Sequence, residues 1–213
     1  MRWNVFLTGL FMLVVTGSAT ATTDENTAMT TLQQDWAVAK YSTQGKDRKK
    51  AFEALTQEAD KLVSAFPDQA AAHIWAGIVY STYAGEVSMF SAGKQVKRAR
   101  GELEAALKID PTALNGSAYT SLGALLYQIP GFMGGDEKEA EVMLKKGLEL
   151  NKDGIDSNYF YGAFLIEQDR YDEARVYLEK AAAAPDRPHR ELADQGRRGE
   201  IATAMKEIQD TAS

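Results

Sequence analysis

The chain has 213 residues, 45% of them hydrophobic and 25% charged, which suits a globular fold that buries its own core without a staple. A formal charge of −6 argues against general nucleic-acid binding, which needs surplus Lys and Arg to neutralise phosphates. With no cysteine, disulfides, thiolate catalysis, Cys-ligated zinc and an acylated N-terminal Cys are all excluded, and His73 and His189 alone leave little material for a metal centre or a Ser-His-Asp triad.

The first residues read as an address. Arg2 precedes an 11-residue uncharged core from Val5 to Val15, and Ala19-Thr20-Ala21 follows. This predicts a signal peptide over 1–21, cleaved after Ala21 or, as second choice, after Ala19. An uncleaved anchor is the competing reading, but a bilayer span takes about 20 apolar residues. Without Arg2 the exported chain carries 23 basic and 30 acidic residues, a net −7. A cysteine-free exported protein of this kind is expected in the periplasm, with no stable membrane anchor. The expected organisation continues with a disordered segment over 22–27, a helical repeat domain over 28–209 and a flexible tail over 210–213.

Apolar residues recur at helical spacing throughout, and no stretch alternates long enough for a strand. Helices are predicted over 28–42, 46–66, 70–84, 92–108, 117–128, 137–150, 157–168, 171–183 and 188–209. In the first, Met29, Leu32, Trp36, Val38 and Ala39 form the apolar side. In the second it is Phe52, Leu55, Ala59, Leu62 and Val63, and Pro67 ends the helix. Short connections between helices of this length make antiparallel neighbours.

The helices also repeat. One pair holds Tyr161-Gly162 and Leu165, then Ala174, Leu178 and Ala181, and Gly162 to Ala174 is 12 residues. An earlier pair holds Ala76, Gly77 and Tyr80, then Ala99, Leu103 and Ala106, with Gly77 to Ala99 stretched to 22 residues. Between them lie Leu122, Gly123 and Leu126, then Ala140, Leu144 and Gly147, with 17 residues from Gly123 to Ala140. Residues 28–67 form a fourth, degenerate pair. Small residues let helices approach closely and bulky ones fill the space between them. The pattern resembles the tetratricopeptide superfamily, and implies an all-α solenoid of three to four antiparallel helix pairs with a C-terminal capping helix.

A narrower resemblance follows from local patterns. A signal sequence precedes cryptic repeats with a Gly134-Gly135-Asp136 insertion. Leu150-Asn151, Asn158-Tyr159-Phe160-Tyr161-Gly162 and a 187–198 tail with Leu192-Ala193-Asp194 come after it. Together these resemble the T-component family of TRAP-type solute transporters over about residues 45–205. The resemblance implies an exported accessory protein that docks a periplasmic solute-binding protein, helps present a small solute and self-associates into a ring. A general periplasmic scaffold for envelope assembly is the alternative.

Repeat register assigns candidate groove positions on the first helix of each pair. They are Ile74, Ile78 and Ser81 in one, Ser117, Thr120, Tyr127 and Gln128 in the next, and Asp156, Tyr159, Ile166 and Glu167 in the last. These positions offer no Lys or Arg, so the expected occupant is a small apolar ligand or a protein partner inserting apolar side chains. Phe132 and Met133, in the second insertion, are candidates for a ligand opening or a subunit contact. Asp136 and Glu139 have the spacing of a capping box. Four cations in Lys94–Arg100 read as a solvated helix face, with Arg98 placed to pair Glu102 one turn on. Gly-x-Ser-x-Gly, P-loop and His-Glu-x-x-His motifs are absent, and no catalytic residue, metal or cofactor is expected.

Overall fold

The computed structural model describes residues 18–211, with side chains from residue 24. Most of the expected leader and the last two residues of the expected tail lie outside this range. The described residues form helices α1 (Ser18–Tyr41), α2 (Gly45–Ala65), α3 (Ala70–Ala84), α4 (Met89–Ile109), α5 (Ala113–Gln128), α6 (Glu137–Leu150), α7 (Ile155–Glu167), α8 (Tyr171–Ala183) and α9 (Glu191–Thr211). A 3-10 turn at Gly131–Met133 joins α5 to α6. The helices pair as α1/α2, α3/α4, α5/α6 and α7/α8, and the last three pairs pack most closely. This is the all-α solenoid that the repeats predict.

Three glycines explain the close packing. A Cβ on Gly77 would stand 2.5 Å from Leu103 Cγ and 3.3 Å from the Ala99 carbonyl oxygen. One on Gly123 would stand 2.7 Å from Leu144 Cγ and 3.0 Å from the Ala140 oxygen, and one on Gly162 3.0 Å from Leu178 and 3.4 Å from the Ala174 oxygen. In each pair the same three residues meet: a glycine on the first helix, and an alanine and a leucine on the second. The leucines fill the gap, and all three are fully buried. Burying such a side chain contributes about 1.5–3 kcal/mol.

Two connected cores result. One joins α1 to α4 around Phe52, Trp75, Val79 and Tyr80. The other joins the later helices around Leu144, Phe164, Leu165 and Leu178. Val38, expected on the apolar side of α1, is 47% exposed instead, because it stands about 200° around the helix from the buried Trp36. The segment 22–27, expected to be disordered, is helical and belongs to α1. No Gly or Pro interrupts 18–41, and the Thr30 and Thr31 hydroxyls bond back to the Asn26 and Thr27 carbonyls at 2.7 and 3.0 Å.

The links carry the irregular backbone. Leu114, Asn115 and Gly116 have φ of 47°, 54° and 74°, so α5 opens with a kink. There a Cβ on Gly116 would sit 2.6 Å from Leu150 Cδ1, so glycine serves both the left-handed conformation and the close approach. Asp136 caps α6, accepting the N–H of Lys138 and Glu139 at 2.9 Å each. The reciprocal half of the expected box is not made. The Asp136 N–H donates to the Leu126 carbonyl, while Glu139 lies 3.6 Å from Arg100. The expected Arg98–Glu102 pair is also replaced. Arg98 pairs with Asp60 and stacks 3.9 Å over Tyr80, whereas Glu102 holds His73 Nδ1 at 2.6 Å. These contacts tie α4 to α2 and α3, and they outcompete a solvated pair along one helix.

The chain closes on itself. Helix α9 packs on α8 and α7 and then meets α1, the first helix. Tyr41 lies flat on Gly196, where no larger residue fits beneath the ring. The Tyr41 hydroxyl donates to Glu200 at 3.3 Å, and Lys40 pairs with the same carboxylate at 3.1 Å. The expected C-terminal cap therefore also joins the two ends of the solenoid.

Candidate functional site

Closure shapes a half-open cavity of about 1000 Å³. Four helices supply most of its wall, α1 through Trp36 and Lys40, α3 through Trp75, Ile78 and Ser81, α5 through Ser117, Thr120, Ala124 and Gln128, and α7 through Asp156, Tyr159 and Phe160, with Arg48 of α2 and Ala92 and Val96 of α4 beside them. Links and α9 complete it through Arg187, Arg190, Arg197 and Glu200. The two insertions contribute Val87, Met89, Pro130 and Met133, so they extend the wall on one side.

Seven of the eleven expected groove positions line this cavity: Ile78, Ser81, Ser117, Thr120, Gln128, Asp156 and Tyr159. The other four lie elsewhere. Ile74 is fully buried in a small core with Ala70, Ala106 and Ala118, because α5 packs directly over it. Tyr127 packs edge-on against Phe164 at 5.6 Å, and Ile166 joins the same C-terminal core. Glu167 is exposed at the end of α7. An open solenoid would leave these positions on a concave surface; the tight pairing of neighbours covers them. Phe132 and Met133 are separated too. Phe132 is 79% exposed, whereas Met133 lines the cavity and packs on the first core.

The cavity's positive charge comes from residues outside the repeat register. Arg187 pairs with Asp156 at 2.5 Å and with Asp194 at 2.5 Å. Arg197, with only 6% of its side chain exposed, pairs with Asp156 at 2.8 Å and Glu200 at 2.5 Å. Its guanidinium stacks on Tyr159 and Phe160, 4.3 and 4.5 Å from the ring centroids. Burial opposes ionisation of Asp156, but Arg197 and Arg187 outweigh it and hold the carboxyl well below the usual range. Burial also lowers the Lys40 ammonium, reinforced by Arg197 and opposed by Glu200. Asp156 therefore spends both its oxygens on structure, joining α7 to the 184–190 link and to α9.

Helix register alone misses these arginines because they reach the cavity from the chain's last quarter. The available signal is the run of Arg187, Arg190, Arg197 and Arg198, too dense for a plain capping helix. Polar side chains at the start of α7 fix the link before it. Fully buried Asn158 donates to the Lys152 and Gly154 carbonyls at 2.8 Å each, and Ser157 donates to Asn151 at 2.6 Å. Among the described residues no group of three His, Asp or Glu side chains is placed to hold a metal ion. No described helix is long and apolar enough to cross a membrane.

Fold and cavity define a tetratricopeptide-like α-solenoid whose ends meet beside a half-open cavity. One solved structure agrees on the fold, and two others are more distantly similar. A thermophilic tetratricopeptide protein of Thermus thermophilus, TTC0263, superposes with a TM-score of 0.56 at 16% identity, covering 85% of this chain and 98% of that one. MamA superposes with a TM-score of 0.46 at 19% identity, covering 78% of this chain and 91% of its own. YrrB, described as a tetratricopeptide protein with an unusual peptide-binding site, gives 0.41 at 20% identity, with coverage of 76% and 79%. No protein-family model matches the chain, and no curated protein matches it.

Proposed function

We propose that this protein is an exported, non-catalytic binding protein that holds a small organic molecule inside its closed solenoid. In this reading it works in the periplasm as an accessory protein of the T-component type, presenting a solute to a solute-binding protein. The observation that carries the binding role is the α1–α9 contact around a cavity of about 1000 Å³. That volume matches the upper range of small-molecule sites, roughly 300–1,000 Å³. A wall that sets aromatic and aliphatic side chains beside a network of charged ones suits retention of a ligand with both apolar and polar parts. Export rests on the leader pattern, and the transport role on the local resemblances around residues 134–136, 150–162 and 187–198.

Ala124 lines the cavity, so Ala124→Trp fills it from α5. Wild type and variant are captured from periplasmic extract and their bound metabolites compared by mass spectrometry. A molecule that travels with the wild type and is lost from a folded Ala124→Trp supports the reading. Identical profiles refute it.

A protein scaffold is the second reading, favoured by Met89 and Phe90, 67% and 102% exposed on the first insertion, and Phe132 on the second. Light scattering tests whether these residues support a ring of copies. A monomer across micromolar concentrations removes that option.

A further inference from the structure

Arg190 is the unmatched member of the cavity's charge network. Lys40, Arg187 and Arg197 each have carboxylate partners, and Arg198 turns to the Ala182 and Ala184 carbonyls and to Asp186. Among the described residues Arg190 has no ion pair, and its Nε is buried with no hydrogen-bond acceptor. Its guanidinium lies 4.8 Å from the ring centroid of Trp75, which lines the same cavity. The preceding residue, His189, has φ 60°, a conformation uncommon for a residue with a side chain. It turns the chain sharply just before α9, where Arg190 lines the cavity.

A guanidinium without an acceptor in such a place is costly, because a group deprived of its hydrogen bond keeps its full desolvation penalty. Its rigid fork fits a carboxylate with two parallel bonds. The charge balance restricts the ligand further. The neighbouring ion-pair network holds the cations Lys40, Arg187 and Arg197 and the carboxylates Asp156, Asp194 and Glu200. Counting Arg190, one positive charge is left uncompensated, which suits a monoanion. Elsewhere on the wall Arg48 pairs with Glu86, Asp186 pairs with Arg198, and Asp153 is exposed. The surface beside Arg190 is aromatic, with Trp36 and Trp75 edge to face at 5.9 Å.

We propose that the cavity takes an organic monocarboxylate with an apolar body, its carboxylate bound by Arg190 and its body laid against Trp36 and Trp75. This rests on the cavity being the binding site and adds the ligand's chemical class. It also modifies the expectation of an apolar ligand, since a single anionic end is now required.

The test is isothermal titration of the purified protein with benzoate, indole-3-acetate and decanoate, each beside its primary amide, and with inorganic phosphate. Each acid and amide share a body and differ in charge. An acid that binds about tenfold or more tighter than its amide supports the proposal, as the loss of one charged hydrogen-bonded pair predicts. Arg190→Gln is then expected to abolish that preference, lowering acid affinity far more than amide affinity, while leaving the helical circular dichroism unchanged. Arg190→Lys, which keeps the charge and loses the fork, retains part of it. Equal binding of acid and amide, or a preference that survives Arg190→Gln, refutes the anchor and leaves the cavity as a site. Phosphate binding tighter than every acid refutes the monocarboxylate assignment. If no member of any pair binds, both the anchor and the cavity reading fall.

Discussion

Replacing Gly123 with alanine is a direct test of the packing that shapes this protein. Gly123 lies inside α5, where exchanging glycine for alanine ordinarily stabilises a helix by about 0.8–1 kcal/mol. Here the added methyl would stand 2.7 Å from Leu144 Cγ, 3.0 Å from the Ala140 carbonyl oxygen and 3.0 Å from the Leu144 nitrogen. Two of those atoms are backbone, so α5 and α6 must separate. Overpacking of this kind costs about 1–3 kcal/mol, which outweighs the propensity gain and leaves a net loss of about 1 kcal/mol. Gly101, in α4, is the matched control: it is exposed, and nothing lies within 4 Å of its added Cβ. There the same substitution is expected to stabilise by about 0.4–1 kcal/mol. At about 2–4 °C per kcal/mol for a chain of this size, the two variants should move the thermal midpoint in opposite directions by a few degrees. Circular dichroism at 222 nm reads both. If Gly123→Ala raises the midpoint as much as Gly101→Ala, the close-approach argument for all three pairs is wrong.

Two further outcomes follow from individual contacts. Gly196→Val should push Tyr41 off α9 and open the α1–α9 contact, seen as faster amide hydrogen exchange in both helices with α5 and α6 unchanged; unaltered exchange would show that closure does not depend on this contact. Glu141 accepts from Arg170 at 2.8 Å and Lys145 at 2.9 Å, and these bonds pull its carboxyl down to about 2 from an ordinary 4.5. A carboxyl with a depressed folded value contributes stability above its unfolded value and loses it as pH falls through the folded one. The loss therefore runs between about pH 4.5 and 2, and Glu141→Gln should flatten the acid limb of the stability curve in that window while leaving its shape near neutrality intact. An unchanged acid limb would mean that the Glu141 pairs contribute nothing.

Much of the architecture can be read from local pattern. Helical periodicity locates the elements, and a glycine followed by an alanine and a leucine on the next helix marks each pair. Gly77, Gly123 and Gly162 then meet the same partners in the structure. These signals are legible because the residues that meet lie within one helical hairpin. Asp136 belongs here too: its cap depends on N–H groups two and three residues ahead.

What local pattern does not contain is the meeting of the two ends. Tyr41 and Glu200 are 159 residues apart, and their contact depends on the small rotation added by every pair between them. That sum turns an open groove into a cavity. It also brings Arg187, Arg190 and Arg197 from the last quarter of the chain into contact with Asp156 and Trp75. The sequence by itself determined the helices and their pairing, through contacts between near neighbours along the chain. Only the tertiary structure decided which side chains share the chamber, because that depends on superhelical twist accumulated over the whole solenoid.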